Sequence, residues 1–273
     1  MTRPGLPKLI ATDLDGTLVR SDDTVSAYTH EVLDRVRAAG IPVVGATGRG
    51  PRLTELTRND IRAADFLVLA GGGRVVDQSD PVGPVVLCDE RLASDVLAGL
   101  LADLEVAVGP LTVMVEASDE HEAPLWGDYH PDWPYPDRFE VRTRDECLAG
   151  DVIKAFVRTA DHHVDELLAV AREIVPPHLA TLTQAGLGFI EICPPGVDKA
   201  SGLTVVAQSL GVDPAEVLVF GDMPNDLPMF EWAGWARVAV ANAHPSVRAA
   251  ADDITLRNDD DGVAVYLDRL LSR

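Results

Sequence analysis

Two carboxylates stand two residues apart immediately after an apolar run: Leu9-Ile10-Ala11-Thr12 leads into Asp13-Leu14-Asp15-Gly16-Thr17. Far along the chain a second apolar run, Val217 to Phe220, ends at Gly221-Asp222, with Asn225 and Asp226 close behind. Between these segments lie Thr47, directly after the run Ile41 to Ala46, and Lys199, near the start of a helical stretch. If these places converge, four carboxylates (Asp13, Asp15, Asp222, Asp226) meet one hydroxyl and one ammonium. Acids held a few ångströms apart raise one another's pKa until one is neutralised or a cation binds. The set holds no His or Cys, and hard oxygen donors suit Mg²⁺, which takes one or two carboxylates, water and phosphate oxygens. Such a cation, together with Lys199, would create a locally positive hole able to receive a phosphate.

The surrounding pattern explains how distant residues could meet. Buried, β-branched runs at residues 9–12, 41–46, 66–69 and 217–220 alternate with helical segments, notably 25–39, where Val25, Tyr28, Val32, Leu33 and Val36 recur at three- and four-residue spacing and Gly40 follows. Strands alternating with helices predict a doubly wound α/β parallel sheet, whose ligand crevice opens at the carboxyl ends of the strands. Asp13, Thr47 and Asp222 all fall at such ends. The pattern changes after about Pro81. A helix over 89–105, strands over 112–116, 152–157, 180–184 and 188–192, and a helix over 164–174 predict a smaller α+β insertion. The expected organisation is therefore a Rossmann-like core over residues 1–82 and 189–273, with an α+β cap domain over 83–188.

Of the 273 residues, 47% are hydrophobic, enough for one large or two smaller cores. The formal net charge of −21 argues against nucleic-acid and anionic-membrane partners. No apolar run is long enough for a transmembrane helix, and the first eight residues lack the apolar stretch of a signal peptide. Cys88, Cys147 and Cys193 are odd in number and widely spaced, which predicts neither a disulfide framework nor a zinc cluster and fits a reducing, cytoplasmic setting.

In their order and spacing the motifs resemble the haloacid dehalogenase superfamily, and the Cof-type phosphatase branch in particular. Asp13 to Thr17 is similar to its first motif, Thr47-Gly48-Arg49 to its second, Lys199 to its third and Gly221 to Asp226 to its fourth. Glu191-Ile192 followed by Pro194 to Lys199, and Val240-Ala241-Asn242-Ala243, also resemble segments of that branch. The resemblance implies a Mg²⁺-dependent phosphatase of a small phosphorylated metabolite. Asp13 would be the nucleophile and Asp15 the acid and base. Thr47, Gly48, Lys199 and Asn225 would hold phosphate. Asp13, the Asp15 carbonyl and Asp222 would bind the metal, with Asp226 completing or orienting its shell. The sequence departs from the branch at Ala70-Gly71-Gly72-Gly73, where Asn-Gly is usual.

Several residues keep two readings. Arg49 either contacts phosphate or makes a surface salt bridge. Lys154 either reaches an anionic group on the substrate or is an exposed sheet residue. His121, Trp126, Tyr129, His130, Asp132 and Trp133 lie in a proline-rich stretch, 121–137, and either line the pocket or, the preferred reading, pack on the cap from a surface loop. Two other functions share the scaffold: a sugar phosphomutase, and a non-catalytic sensor of a phosphorylated ligand. The intact Asp13, Asp15, Lys199 and Asp222 disfavour the sensor.

Overall fold

The computed structural model describes residues 5–128, 133, 138–184 and 186–272. The first five strands are β1 (Leu9–Thr12), β2 (Val43–Ala46), β3 (Phe66–Leu69), β4 (Arg74–Asp77) and β5 (Val85–Asp89). A second group follows: β6 (Thr112–Glu116), β7 (Leu125–Gly127), β8 (Phe139–Val141), β9 (Lys154–Arg158), β10 (Thr181–Thr183) and β11 (Ile190–Cys193). The chain closes with β12 (Val217–Gly221), β13 (Ala236–Ala239) and β14 (Asp253–Ile254).

Two sheets result. The larger has the order β14-β13-β12-β1-β2-β3-β4-β5, parallel from β14 through β3 and antiparallel at β4 and β5. Every residue of β1, β2, β3 and β12 is buried, so these strands read as continuous apolar runs, as strands covered on both faces do. The helix Ala27–Ala38 begins at Ser26, whose hydroxyl accepts from Thr29 N–H, and it buries Thr29, Val32, Leu33 and Val36; Tyr28, expected inside, is exposed. It packs against the terminal helix Gly262–Leu271. The smaller sheet has the order β10-β11-β9-β6-β7-β8. One of its faces, through Val113, Val115, Ala155, Val157, Ile190 and Ile192, packs against the helices Ser94–Val108 and Val164–Ile174. The other face carries Met114, Glu116, Lys154 and Phe156 and turns toward the carboxyl edge of the large sheet, where Lys154 meets the Gly48 carbonyl.

The strands cross the expected domain limits. β5 belongs to the large sheet although it lies beyond residue 82, and β11 belongs to the small sheet although it lies beyond residue 188. The β4–β5 hairpin escaped the sequence pattern because β5 is an edge strand exposed over Val85, Val86 and Leu87 and so lacks alternating burial. Cys193 sits in β11, and the segment that follows carries the chain back to Lys199 in the core. Among the described residues no helix is long and apolar enough to cross a membrane.

Candidate active site

Asp13 leaves the end of β1 with its backbone N–H donating to the Phe220 carbonyl of the adjacent β12 (3.0 Å), so the loop after the first strand starts from a fixed point. The turn that follows is wound on Leu14, whose carbonyl accepts from the N–H groups of Thr17, Leu18 and Val19. Gly16 takes φ +81°, and a Cβ there would lie 2.4 Å from Asp222 Oδ2. Only glycine meets both demands. The neighbouring Thr17 hydroxyl donates to Asp222 Oδ1 (2.9 Å), tying the first and fourth motifs together. From the far side, Asn242 Nδ2 donates to the Gly16 carbonyl (2.7 Å) while its Oδ1 accepts from Asn258 N–H (3.0 Å), and Asn258 Nδ2 donates to the Val19 carbonyl (2.9 Å).

Lys199 opens the helix Lys199–Leu210, which Asp198 caps by accepting from Ser201 N–H (2.8 Å). Gly72 lets the β3 loop lie against that cap: its φ is +119°, and a Cβ would fall 2.0 Å from the Asp198 carbonyl oxygen. Ala70, in the place of the usual asparagine, itself takes φ +52° and donates its N–H to the Arg49 carbonyl (2.8 Å). The Lys199 ammonium, 1% exposed, donates to Asp13 Oδ1 (2.5 Å) and Asp226 Oδ1 (2.6 Å). The other Asp226 oxygen accepts from the N–H groups of Asp222 (2.8 Å) and Met223 (3.0 Å). Asp226 is thus occupied in folding the fourth loop and orienting the lysine, which leaves Asp13 and Asp222 as the better available donors to a cation.

One lysine does not balance this cluster. Carboxylate oxygens of Asp13, Asp222 and Asp226 all lie within 4.8 Å of one another, and all three residues are buried. Burial raises Asp13 to about 6, against the pull of Lys199 and with the repulsion of Asp226. Burial, then Asp13 and Asp226, push Asp222 up to about 9. Burial would lower the Lys199 ammonium, but Asp13 and Asp226 outweigh it and hold the group above the ordinary lysine range. A buried all-oxygen set whose members resist ionising together is the environment that a small divalent cation relieves, so these residues fit Mg²⁺.

Asp15 points to Arg49, which grips it through Nε (2.9 Å) and NH2 (2.5 Å) while NH1 binds Asp60 (2.5 Å). Arg49 is buried and ion-paired, so the salt bridge it makes is not a surface one; it also lines the cavity at Asp13. Thr47 is fully buried, its hydroxyl accepting from Arg49 N–H (3.1 Å). Asp13, Asp15, Gly48, Arg49, Asp222 and Asn225 line one cavity; Thr47 lies outside its wall, and Lys199 reaches it through Asp13. Asn225 is nearly buried there, and its Oδ1 has no hydrogen-bond partner among the described residues.

Lys154 is 1% exposed, which overturns the exposed-sheet alternative: its ammonium crosses from β9 to the Gly48 carbonyl (2.6 Å) and to Glu191 Oε1 (2.7 Å). Arg52 NH1 lies 3.2 Å from Glu116 Oε1 with both side chains buried, an ion pair in which neither Glu116 oxygen accepts a hydrogen bond from a described residue. Glu116, Arg52 and Asp60 are site residues that sequence reasoning did not single out, and Glu191 entered it only as part of a family-like segment with no role at the site. The available signal was a carboxylate inside an otherwise apolar strand, Met114-Val115-Glu116 and Ile190-Glu191-Ile192. Trp133 packs edge-on against Phe156 (4.9 Å) and Phe189 (5.7 Å), and the Arg142 guanidinium stacks on Trp126 (5.1 Å), as the cap-packing reading expects. His121 is exposed beside Glu122. Tyr129, His130 and Asp132 lie outside the described residues.

A parallel sheet that gathers buried aspartates and one lysine at its carboxyl edge, beneath a second sheet bearing charges of its own, defines a class of phosphate-handling enzymes. Comparison with known proteins narrows this. The haloacid dehalogenase-like hydrolases match residues 10–267. The chain is 28% identical over 286 residues to the 5-amino-6-(5-phospho-D-ribitylamino)uracil phosphatase YwtE of Bacillus subtilis, covering 97% of this chain and 98% of that one. It is 28% identical over 272 residues to a phosphoglycolate phosphatase of Natronomonas pharaonis, covering 95% and 96%. A haloacid dehalogenase-like hydrolase from Bacteroides thetaiotaomicron superposes with a TM-score of 0.72 at 28% identity, covering 97% and 99%. The chain belongs to the haloacid dehalogenase-like hydrolase family, and it is a phosphoric monoester hydrolase acting on small phosphorylated metabolites.

Proposed function

We propose that the enzyme hydrolyses its monoester in two displacements on Asp13, with Mg²⁺ required. The observation that carries this is the buried triad of Asp13, Asp222 and Asp226 with Lys199 held between two of its members. Asp13 and Asp222, with the Asp15 backbone carbonyl, would hold the cation, and Asp226 would set their orientation from behind. When bound, the metal supplies positive charge that offsets the phosphate and the two carboxylates.

In the first step an Asp13 oxygen attacks phosphorus and the bond to the leaving oxygen breaks, that oxygen taking a proton from Asp15. In the second, Asp15 removes a proton from water, the resulting hydroxide attacks phosphorus, and Asp13 is released with inorganic phosphate. Lys199 keeps Asp13 ionised and oriented. Gly48 and Asn225 face the phosphate position, and Thr47 shapes the loop from beneath. Arg49 grips both Asp15 oxygens and so fixes the direction of the side chain, and this two-pronged grip must loosen for Asp15 to deliver a proton in the first step.

The test is turnover of p-nitrophenyl phosphate with Mg²⁺ by the natural chain and by Asp13→Asn, with trapping of labelled phosphate on the protein. Label on residue 13 and loss of turnover in the variant are expected. A variant that retains near-native rates sinks the assignment of Asp13 as nucleophile. The relatives' names differ in the chemistry of the group beyond the phosphate: a ribityl chain for one and a carboxylate-bearing carbon for another.

A further inference from the structure

Among the described residues, the cations Arg49, Arg52 and Lys154 that line the cavity above Asp13 are each paired with a carboxylate, and this bears on what the leaving group can be. Lys154 is paired with Glu191, Arg52 with Glu116, and Arg49 with Asp15 and Asp60. Glu116 stands opposite Lys154 in the β6–β9 register, and Glu191 stands opposite Phe156 in the β11–β9 register, so both carboxylates belong to the cap sheet. Phe156 and Leu187 supply apolar wall beside them. A phosphate at the floor would be offset by the proposed divalent cation and, from behind Asp13, by Lys199. A second anion higher in the cavity would have to take Lys154 from Glu191 and then lie beside that carboxylate, both side chains being buried. Juxtaposed like charges are among the strongest means of rejecting a ligand. Hydroxyl groups meet no such penalty, since they donate to Glu191 and accept from Lys154.

We propose that Glu191 is a specificity-determining residue that, by neutralising Lys154, selects monoesters whose leaving group is uncharged and hydroxyl-bearing over those carrying a carboxylate or a second phosphate. This rests on the phosphatase chemistry proposed above and narrows its substrate class.

Glycerol 3-phosphate and 3-phosphoglycerate test it, because they differ only in a hydroxymethyl group against a carboxylate. With the full chain and Mg²⁺, kcat/KM should favour glycerol 3-phosphate by at least about tenfold, the scale on which one unfavourable pocket contact discriminates. Glu191→Gln preserves shape and an acceptor for Lys154 but removes the charge. It should improve kcat/KM for the carboxylate-bearing ester, relative to its hydroxymethyl counterpart, by about tenfold. A purely structural role for Glu191 would change both substrates alike and leave the ratio where it was. Equal use of the two substrates by the natural enzyme, which needs no variant to fold, overturns the proposal, as does an unmoved ratio in Glu191→Gln. If p-nitrophenyl phosphate is turned over without any preference between the pair, this inference alone fails. If no monoester is hydrolysed at all, the two-displacement chemistry fails and takes the inference with it.

Discussion

At the floor of the cavity Asp13, Asp222 and Asp226 share a single lysine, whereas at the roof Glu116 and Glu191 each have a cation of their own. Both regions bury their charges almost completely. The floor carries an excess of negative charge that its own described residues do not quench, which suits it to the divalent cation proposed above. Among the described residues the charges of the roof are paired within the chain. Burying an ion is costly unless it is paired, and the proposed function has the two regions find their partners in different places, one from solution and one from the chain.

That contrast can be broken at several points. The largest effect is expected from Asp13→Asn, which should lower kcat by at least about 10⁴-fold, the scale of removing a nucleophile. Chelation should also abolish turnover, and restoring Mg²⁺ should recover it. The metal requirement should depend on pH with a definite sign. Asp222 at about 9 and Asp13 at about 6 bind protons that a cation must displace, so apparent Mg²⁺ affinity should rise from pH 6 to pH 8, by up to about tenfold per unit for one displaced proton. An affinity independent of pH over that range would contradict the excess charge assigned to the floor. Asp15→Asn should cost at least about 10²-fold in kcat while leaving Mg²⁺ binding in place.

At the roof, Arg52→Met strands Glu116 and should destabilise the fold by about 3 kcal/mol, with most of the loss recovered when Glu116→Leu is added. The smallest effect sharpens the comparison most. Because the folded-state pKa of Asp222 is raised, its ionised form opposes folding increasingly as pH climbs from the unfolded carboxylate range toward about 9. Asp222→Asn should therefore raise the unfolding midpoint of the metal-free protein at neutral pH by about 2 °C or more, equivalent to roughly 1 kcal/mol in a chain of this size. It should do so while abolishing activity. A lower midpoint would show that the native charge is already compensated without metal.

The strands that carry the floor were legible because each is fully buried: residues 9–12, 43–46, 66–69 and 217–221 are uninterrupted apolar segments, each stopped by a polar or glycine-containing loop. Strand ends marked Asp13 and Asp222 as neighbours, whereas Lys199 was marked by a helix start and Asp226 by its nearness to Asp222. The roof was harder to read. Glu116 and Lys154 lie opposite one another on antiparallel strands far apart in sequence, and their burial depends on cross-strand register, which no local pattern records. Lys154 looked equally suited to solvent for that reason. Asp60 could not be found because its role exists only through Arg49. The edge hairpin of β4 and β5 was missed because its outer strand faces water and shows no periodic burial.

The strand that leads into Asp13 depends on residues made much later in the chain. β1 is flanked on one side by β12, and the turn after Asp13 is braced by Asn242 and Asn258. During synthesis, residues made early are therefore held waiting for others made more than two hundred positions later. A chain ending between residues 226 and 240 would carry Asp13, Asp15, Lys199, Asp222 and Asp226 yet lack the two asparagines that brace the turn around Gly16. Closure of that turn therefore waits on residues near the end of the sequence.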